Sequence, residues 1–400
     1  MMPDSKELWE EGLNVPAMKI VSQGRFLEEE VREAFNLAGS FPGCSPTRRI
    51  QDNLSDLKAQ TSANQRGSTL LHRLCEEFSL PIVHKYMAGI QKNSEVAVRE
   101  FLREVAKDHP EGLEATDVFD NGTQIKLKII INPETGSAVF DFDGTGPQGW
   151  GNINCPISIA HSAVIYCLRC LIDIEIPLNQ GCLTPVEIKV PKGSVLNPQP
   201  SVAICGSTLA SQRVIDTILR AFHCVAAFQG CASSFGWGMG GRDPDTGEIK
   251  AGWNYGESIG GGTGAGPGWH GESAVHVHST NTRMTDAEVI EKRTPVIVRR
   301  HEVRRGTGGR GKWNGGDGVL REIEARIPLK SSILSERRSF PPYGMEGGNP
   351  GSCGQNFVFR HNSEGGIDKI SLGGQAVVNL RPGERMQINT PGGGGWGVPE

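Results

Sequence analysis

The chain has 400 residues, with 41 Lys and Arg against 45 Asp and Glu and a formal charge of −4 at pH 7. This balance favours neither nucleic acid nor a membrane surface as a partner, and no apolar run approaches the roughly 20 residues that span a bilayer. Glycine is in excess, with 53 residues, of which 38 lie in 201–400. Such an excess predicts loops of unusual backbone geometry, or places where the backbone closely approaches a ligand.

The ten cysteines are too sparse for a disulfide scaffold in a chain of this length. The one C-x-x-C, Cys167 to Cys170, lies in an apolar run of helical character and has no second pair at zinc spacing. The N-terminus has no basic segment followed by an apolar one, so it does not predict a secretory signal. We therefore expect reduced thiols and a cytoplasmic protein.

Residues 1–115 are predicted to form the helical part of the chain. Apolar residues near helical spacing predict three helices, over 27–37, 50–77 and 81–107, and Pro110 closes this part. The apolar face of the second helix is expected to contain Leu54, Leu57, Leu70, Leu71 and Leu74.

Residues 116–228 are predicted to form a mixed α/β core. An alternating run, a turn signal at 132–136 and a second run predict a β-hairpin over 124–142. A strand is expected over 186–190. Helices are expected over 157–172 and 211–228, and the apolar character of the first predicts burial on most of its sides.

Residues 229–400 are predicted to be rich in strands that glycine-containing turns separate. The expected strands cover 274–277, 295–304, 319–325, 332–334, 356–359 and 386–388. No repeat of fixed period is present. The predicted class is therefore α+β, with a helical N-terminal part and a β-rich, glycine-rich C-terminal half that together form one domain.

Two polar groups lie on predicted helices. Asp56, Gln60 and Asn64 are four residues apart, so they share one helix face, which suits either a polar ligand or solvent. The segment from Ser207 to Arg213 precedes a buried helix, where hydroxyls and free N–H groups attract anions and an arginine can bind a carboxylate or phosphate. Ordinary helix capping with a surface arginine explains the same residues.

The densest group of candidate residues follows a glycine-rich loop. Gly260, Gly261 and Gly262 cannot lie in a helix or strand interior at reasonable cost, and their N–H groups could surround an anionic oxygen. His276 and His278 are two residues apart, so a strand would point them to the same side. That arrangement suits a pair of metal ligands or a general base with its neighbour, although a purely structural role is the alternative.

Seven motifs occur in an order that resembles the hydantoinase B family, over residues 5–397. They are Asp56-Leu-x-x-Gln60-x-x-x-Asn64, Ser211-Gln-Arg213, Glu257-Ser-Ile-Gly-Gly-Gly262, His276-x-His278-x-Thr280-Asn-Thr-Arg283, Gly315-Gly-Asp-Gly318, Leu334-Ser-Glu-Arg-Arg338 and Thr390-Pro-Gly-Gly-Gly-Gly-Trp-Gly397. Residues 333–344 are most similar to the B region of eukaryotic ATP-dependent 5-oxoprolinases.

The resemblance implies hydrolysis of a cyclic amide in glutathione metabolism. A separate A-type region, the implied partner, uses ATP and Mg²⁺ to phosphorylate the lactam oxygen of 5-oxo-L-proline, and the B region then helps water to open the ring to glutamate. Oligomerisation is expected. A divalent metal is also implied, through a His- and Asp-containing segment that family members carry upstream of the residues present here, so the metal site is expected to be incomplete.

The resemblance also implies roles for particular residues. His276 or His278 would be the base or a metal ligand, and Glu257 with residues 260–262 would face developing negative charge. Arg213 and Arg283 would hold anionic groups. The remaining substrate-binding candidates come from the matching motifs and are Asp56, Gln60, Asn64, Gln212, Gly260, Gly261, Gly262, Asn281 and Arg337.

Some positions depart from the family pattern. Ser233 and Ser234 replace a pair of Asn residues, and Ser207 and Ala210 replace an Asn and a Thr. These departures motivate an alternative, a diverged non-catalytic subunit or scaffold that binds an A-type partner. A third alternative, a subunit similar to those of acetone carboxylase, is disfavoured by the closer 5-oxoprolinase match over 334–344.

Overall fold

A computed structural model describes residues 3–15, 17–242, 246–278 and 280–400. It confirms the α+β class, because the long helices precede residue 222 and most of the strands follow residue 233. The helices are α1 (Glu28–Leu37), α2 (Ile50–Phe78), α3 (Leu80–Asp108), α4 (Ile157–Leu171), α5 (Ser207–Ala221) and α6 (Ala287–Arg293). None of the helices in the described ranges combines the length and the apolar character that crossing a membrane requires.

The strands of the first half are β1 (Val21–Ser22), β2 (Arg25–Phe26), β3 (Leu113–Val118), β4 (Gln124–Asn132), β5 (Ser137–Asp141) and β6 (Val186–Lys189). Those of the second half are β7 (Ser234–Arg242), β8 (Ile249–Glu257), β9 (Val296–Arg304), β10 (Gly318–Ala325), β11 (Leu329–Leu334), β12 (Gln355–His361), β13 (Ile367–Ser371), β14 (Gln375–Leu380) and β15 (Arg385–Asn389).

A four-stranded sheet of order β3-β4-β5-β6 forms the centre of the first half, with α3 and α5 packed against it and α4 against α5. The alternation in β4 explains the packing, because Ile125, Leu127 and Ile129 are fully buried while the lysines between them point outward. Among the strand pairs of the described residues, β5–β6 alone is parallel. The predicted hairpin is β4–β5, and the predicted helical part, to residue 115, extends into β3, which pairs with β4.

The second half is built on two sheets of orders β14-β11-β7-β8 and β13-β12-β15-β10-β9. Side chains from both sheets meet in one apolar core, which includes Trp237 of β7, Ile333 of β11, Ile323 of β10 and Met386 of β15. The two sheets therefore pack face to face. The sequence did not predict β7 and β8, because their glycines and polar residues lack the expected apolar alternation.

Two predicted elements differ from the structure. The helix predicted over 211–228 is α5, which begins at Ser207 and ends at Ala221, before a turn in which His223 has a φ of +50°. The strand predicted over 274–277 is wrong, since this segment makes only an isolated bridge between Gly261 and Val275. The segment instead pairs with the glycine loop, so its side chains do not alternate as those of a strand do.

The helices α2 and α3, each of 29 residues, form a hairpin joined at Ser79, which we call the helical arm. Of the leucines predicted for the apolar face of α2, Leu54 is buried near the base of the arm. Further along, the arm exposes a set of apolar side chains, Leu70, Leu71, Leu74, Phe78, Leu80, Ile82, Tyr86, Met87 and Ile90. An apolar surface of this kind is typical of an interface.

Three glycine-rich stretches, 256–268, 306–318 and 392–397, pack together in what we call the glycine cluster. Their backbones hydrogen bond to one another, from Gly262 N to Pro391 O (3.0 Å), from Gly316 N to Thr263 O (2.9 Å) and from Gly393 N to Gly316 O (2.8 Å). A Cβ on Gly393 would lie 1.8 Å from the Thr263 carbonyl oxygen. Much of the glycine excess therefore serves backbone-to-backbone packing.

Candidate functional site

Several predicted residues line one cavity of about 340 Å³, which we call the histidine cavity. Gly260, His276, Asn281 and Arg283 all contribute to its wall, although they come from the glycine loop and from the segment that follows it. The structure adds His301 of β9, which sequence reasoning missed because the strand carries no motif around it. The cavity thus combines two imidazoles with an amide and a guanidinium.

His276 is available for chemistry in this cavity. Both of its ring nitrogens are buried and have no hydrogen-bond partner among the described residues. Burial lowers the pKa of His276, because the charged imidazolium loses hydration. His301 is exposed, but its partial desolvation together with the Arg321 guanidinium also lowers its pKa. Both imidazoles are therefore held in the neutral form near pH 7, with a lone pair able to accept a proton or bind a metal.

A second cavity of about 420 Å³ adjoins the first and is called here the glutamate cavity, after Glu257. The two cavities share Thr282 and Arg283 in their walls, so the Arg283 side chain stands between them. Arg283 is exposed and forms no ion pair with any residue of the described ranges. It is therefore free to bind an anionic group in either cavity.

Glu257 differs from its predicted role of facing developing negative charge. Its Oε1 lies 3.1 Å from Nε of the buried Arg321, and its Oε2 accepts a hydrogen bond of 3.1 Å from the Tyr255 hydroxyl. The carboxylate is therefore neutralised by a buried cation that does not line the cavity. It holds Arg321 and Tyr255 in place, and a carboxylate so arranged accepts hydrogen bonds but does not stabilise an oxyanion.

The glycine loop also differs from its predicted role. Two of the three N–H groups expected to surround an anion are already used, since Gly261 N donates to Val275 O and Gly262 N donates to Pro391 O, each at 3.0 Å. The glycines are needed here because of close packing. A Cβ on Gly262 would lie 1.9 Å from the Gly316 carbonyl oxygen. Of this loop, Gly260 alone lines the histidine cavity.

His278 does not share the site of His276. It adopts a φ of +52°, which turns its side chain into the interior beside α4 and α5. Its Nε2 lies 3.4 Å from Oδ1 of Asp216 and its Nδ1 lies 3.2 Å from the Tyr166 hydroxyl, with 3% of the side chain exposed. The prediction that both histidines face one side is therefore wrong. Ser279, in the same motif, lies outside the described residues.

Arg213 and Arg337 lie in a buried ionic network away from both cavities. Arg337 Nη2 is 2.9 Å from Oδ2 of Asp117 and 2.8 Å from Oδ2 of Asp216, and Arg213 Nε is 3.5 Å from Asp117. Burial opposes the charge on Arg337, but Asp117 and Asp216 outweigh it and raise the pKa of this guanidinium. The network joins the two halves of the molecule, and the structure gives neither arginine access to the cavities.

Two glutamines lie close to the histidine segment. Gln212 of α5 donates from Nε2 to the carbonyl of Val277 at 3.2 Å, so it fixes the backbone between the two histidines. Gln229 was not predicted, yet it is fully buried and neither atom of its amide has a hydrogen-bond partner in the described part of the chain. It packs directly against Gly261. An unsatisfied buried amide indicates a place for water or a ligand beside this loop.

The polar face predicted on the second helix is present but lies apart from the cavities. Asp56, Gln60 and Asn64 are all exposed along α2 and are absent from the walls of both cavities. Their role in binding substrate stays a prediction. The described ranges hold no group of three or more His, Cys, Asp or Glu side chains able to bind a metal, and the implied metal site stays a prediction.

A helix-covered sheet joined to a two-sheet core is also the fold of known ATP-dependent enzymes. The ATP-dependent caprolactamase from Pseudomonas jessenii superimposes with a TM-score of 0.80 at 22% identity, over 99% of this chain and 68% of that one. At 22% identity this comparison shows a shared fold only. The family model described as Hydantoinase B/oxoprolinase matches residues 1–399, and the chain belongs to this family. The resemblance seen in the sequence motifs is thereby confirmed.

Curated relatives give a finer view of the family. The chain is 71% identical over its whole length to the 5-oxoprolinase PfmaA of Pestalotiopsis fici and 45% identical, over 99% of its length, to the 5-oxoprolinase of Saccharomyces cerevisiae. In both cases it covers 31% of the relative. The chain thus spans about a third of the length of these two curated relatives.

Proposed function

We propose that this chain is the B region of a 5-oxoprolinase-like hydrolase that opens the lactam ring of 5-oxo-L-proline, or of a related cyclic amide, to give glutamate. ATP and Mg²⁺ would be used by a separate A-type region. The observation that carries the proposal is the placement of His276, with both ring nitrogens unpartnered, in a cavity with Asn281 and Arg283. The 71% identity to a 5-oxoprolinase supports the substrate class.

The reaction needs a base that can take a proton from water. Water adds to the carbon of the phosphorylated lactam, the ring C–N bond breaks and the departing nitrogen takes up a proton. The acyl phosphate that remains then loses phosphate to a second water, which gives glutamate. His276 is suited to the first step because burial lowers its pKa and so keeps a lone pair available near pH 7. His301 shares the cavity and can relay or return the proton.

The substrate also presents negative charge. The carboxylate of 5-oxo-L-proline and the phosphate on an activated lactam both require cationic partners. Arg283 lines both cavities and forms no ion pair among the described residues, so its guanidinium can bind an anionic group in either cavity. Asn281 adds an amide donor on the same wall. In this proposal Arg283 and Asn281 bind the substrate. Arg213 and Arg337 have a structural role in the buried ionic network, not the substrate-binding role that the motifs implied.

We propose that the helical arm is the surface on which the A-type region docks. Nine apolar side chains that are each roughly half exposed give on the order of 800 Å², which matches one side of a standard interface. The region that would cover it is the part of the relatives outside the matched 31%. Oligomerisation of the chain itself is the competing use of this surface.

The non-catalytic scaffold stays as the second candidate, because one of the departures from the family pattern lies at the site. Ser234 lines the glutamate cavity, where the family carries an Asn with a longer reach. Ser233 and Ala210 are buried and lie outside both cavities. A scaffold would keep the fold and the arm while lacking turnover.

The two candidates are separated by a chimeric enzyme. The matching region of the Pestalotiopsis fici relative is replaced by this chain, and release of glutamate from 5-oxo-L-proline is measured with ATP and Mg²⁺. We expect turnover, and we expect His276→Gln to lower kcat by about 10²–10⁴-fold. His161→Gln, at an exposed position of α4 away from the arm, is the matched control and should have no effect. A chimera that folds and holds its A region without turnover would favour the scaffold. The chain alone should release no glutamate.

A further inference from the structure

One further cavity is separate from the site above. It has a volume of about 570 Å³ and lies where the turn after β3 and residues 149–153 face residues 335–339 and 371–375 of the second half. We call it the junction cavity. It shares no wall residue with the histidine cavity or the glutamate cavity. Its size is in the range of small-molecule sites.

A buried carboxyl group without a cation lines this cavity. Glu336 is 2% exposed, and its Oε2 accepts one hydrogen bond of 3.0 Å from the backbone N–H of Asp120. In the described ranges no lysine or arginine forms an ion pair with it. Asp120 cannot help, because its own carboxylate accepts from the N–H groups of Arg338 and Ser339. A buried acid in this situation is costly unless something else supplies a positive partner.

The other walls supply groups that suit the rest of a small ligand. The indole of Trp150 is 77% exposed at the rim, where an aromatic face attracts ammonium groups. The Lys6 side chain also lines the cavity and has no side-chain partner among the described residues, so it can meet a carboxylate. Arg338 is less available, because its guanidinium already donates to Asn356 and to the carbonyl of Glu336.

We propose that the junction cavity is a second binding site, for a small zwitterion of the amino acid class whose ammonium pairs with Glu336 and whose carboxylate pairs with Lys6. The two charged groups lie in one cavity, so a single molecule can satisfy both. The proposal does not depend on turnover, because it concerns binding to the chain without ATP or a partner.

The protonation of Glu336 fits this role. Burial and the nearby Asp120 together raise the pKa of its carboxyl to about 7, against the opposing effect of two arginines. The charged groups around Glu336 are Asp120, Arg213, Arg337, Arg338 and Lys6. An ammonium ligand would favour the ionised carboxyl, so binding near pH 7 should release protons.

The test is calorimetric titration of the full chain with L-glutamate at pH 8, and with glutarate, which lacks only the ammonium. We expect L-glutamate to bind at least tenfold more tightly than glutarate, and we expect Glu336→Gln to weaken its binding at least tenfold. Trp150→Ala, on the exposed rim, should weaken it severalfold without affecting the fold. At pH 7 the apparent binding enthalpy should vary with the ionisation enthalpy of the buffer.

Three results would overturn the proposal. They are no binding of L-glutamate at millimolar concentration, equal binding of glutarate, or unchanged binding in a Glu336→Gln variant. His276→Gln separates the two sites, because it should leave L-glutamate binding unchanged. If His276→Gln abolishes binding and Glu336→Gln does not, the ligand occupies the histidine cavity. That result would contradict the second site while leaving the proposed hydrolase intact.

Discussion

Arg337 places its Nη2 atom 2.8 Å from Oδ2 of Asp216, and this contact joins the strand-rich half of the molecule to helix α5 of the first half. The partners are 121 residues apart in the chain, and both side chains are almost fully buried. Asp216 also accepts from His278, so the histidine segment, α5 and the second half meet at one carboxylate. Two residues that the family motifs mark for substrate binding, Arg213 and Arg337, therefore belong to this structural contact network.

The first prediction concerns that contact. Arg337→Met removes the cation and leaves Asp117 and Asp216 buried without it, so we expect the free energy of unfolding to fall by about 3–5 kcal/mol. The control is Arg49→Met, which breaks an exposed pair with Asp52 and should cost less than about 1 kcal/mol. Urea denaturation followed by circular dichroism measures both. Equal losses in the two variants would contradict the assignment of a structural role.

The glycine cluster gives the second prediction. Gly393→Ala would put a methyl group 1.8 Å from the Thr263 carbonyl oxygen, so the backbones must separate, and we expect a loss of at least about 3 kcal/mol. Gly67→Ala is the matched control, because Gly67 lies within α2 with open space around it. That change should stabilise the chain by about 0.5–1 kcal/mol. Similar stability of the two variants would refute close packing as the reason for the glycines.

Local patterns predicted the helices and the first hairpin well, but they missed several strands of the second half and did not predict the site. The alternation of β4 and the apolar spacing of α3 lie in the residues themselves, so their bounds came out within a few residues. The orientation of His278 depends on Asp216, which is 62 residues away, and on a left-handed backbone that no spacing rule indicates. Likewise, the hydrogen bonds that the N–H groups of Gly261 and Gly262 donate to Val275 and Pro391 depend on tertiary structure, which no local pattern shows. Motifs located the residues, but only the fold shows which of them share a cavity.

The third prediction follows from the environment of His276. Burial lowers its pKa below the ordinary value, so the unfolded chain binds this proton more tightly than the folded chain does. The stability that comes from keeping His276 neutral is therefore complete above pH 6.5 and is lost as the pH falls through the lowered pKa. Titration by NMR of histidine-labelled protein should show the His276 ring signal changing below pH 6.5. In the chimera, the acid limb of kcat/KM should follow the same pKa, and a limb above pH 7 would exclude His276 as the base.

The helical arm supplies the fourth prediction. Replacing Leu71 and Tyr86 by Ser should prevent capture of a separately expressed A-type region, because both side chains are at least half exposed on the apolar surface. Asp56→Ala with Gln60→Ala, on exposed positions of the same helix, is the control and should leave capture intact. Size-exclusion chromatography with light scattering reads out both association and self-association. If the serine variant only converts a dimer to a monomer, the arm joins two copies of the chain instead.

The fifth prediction tests the cost of keeping Glu336 buried. Its pKa is raised from 4.5 to about 7, so the folded chain binds this proton more tightly than the unfolded chain does. The stabilising contribution is therefore complete below pH 4.5 and is lost as the pH rises through 7. Glutamine cannot ionise, yet it can still accept from the N–H of Asp120. Glu336→Gln should therefore be more stable than the parent chain at pH 8, by up to ~3 kcal/mol.

At pH 4.5 the same variant should differ from the parent by less than about 1 kcal/mol, because the carboxyl of the parent is then protonated in the fold. Glu76→Gln, on the exposed surface of the arm, is the control and should match the stability of the parent chain at each of the two pH values. Urea denaturation at pH 4.5 and pH 8 makes the comparison. A variant that is less stable at pH 8 would mean that Glu336 already has a partner within the fold. A variant that gains stability but loses the binding of L-glutamate would show that the acid is retained for its ligand.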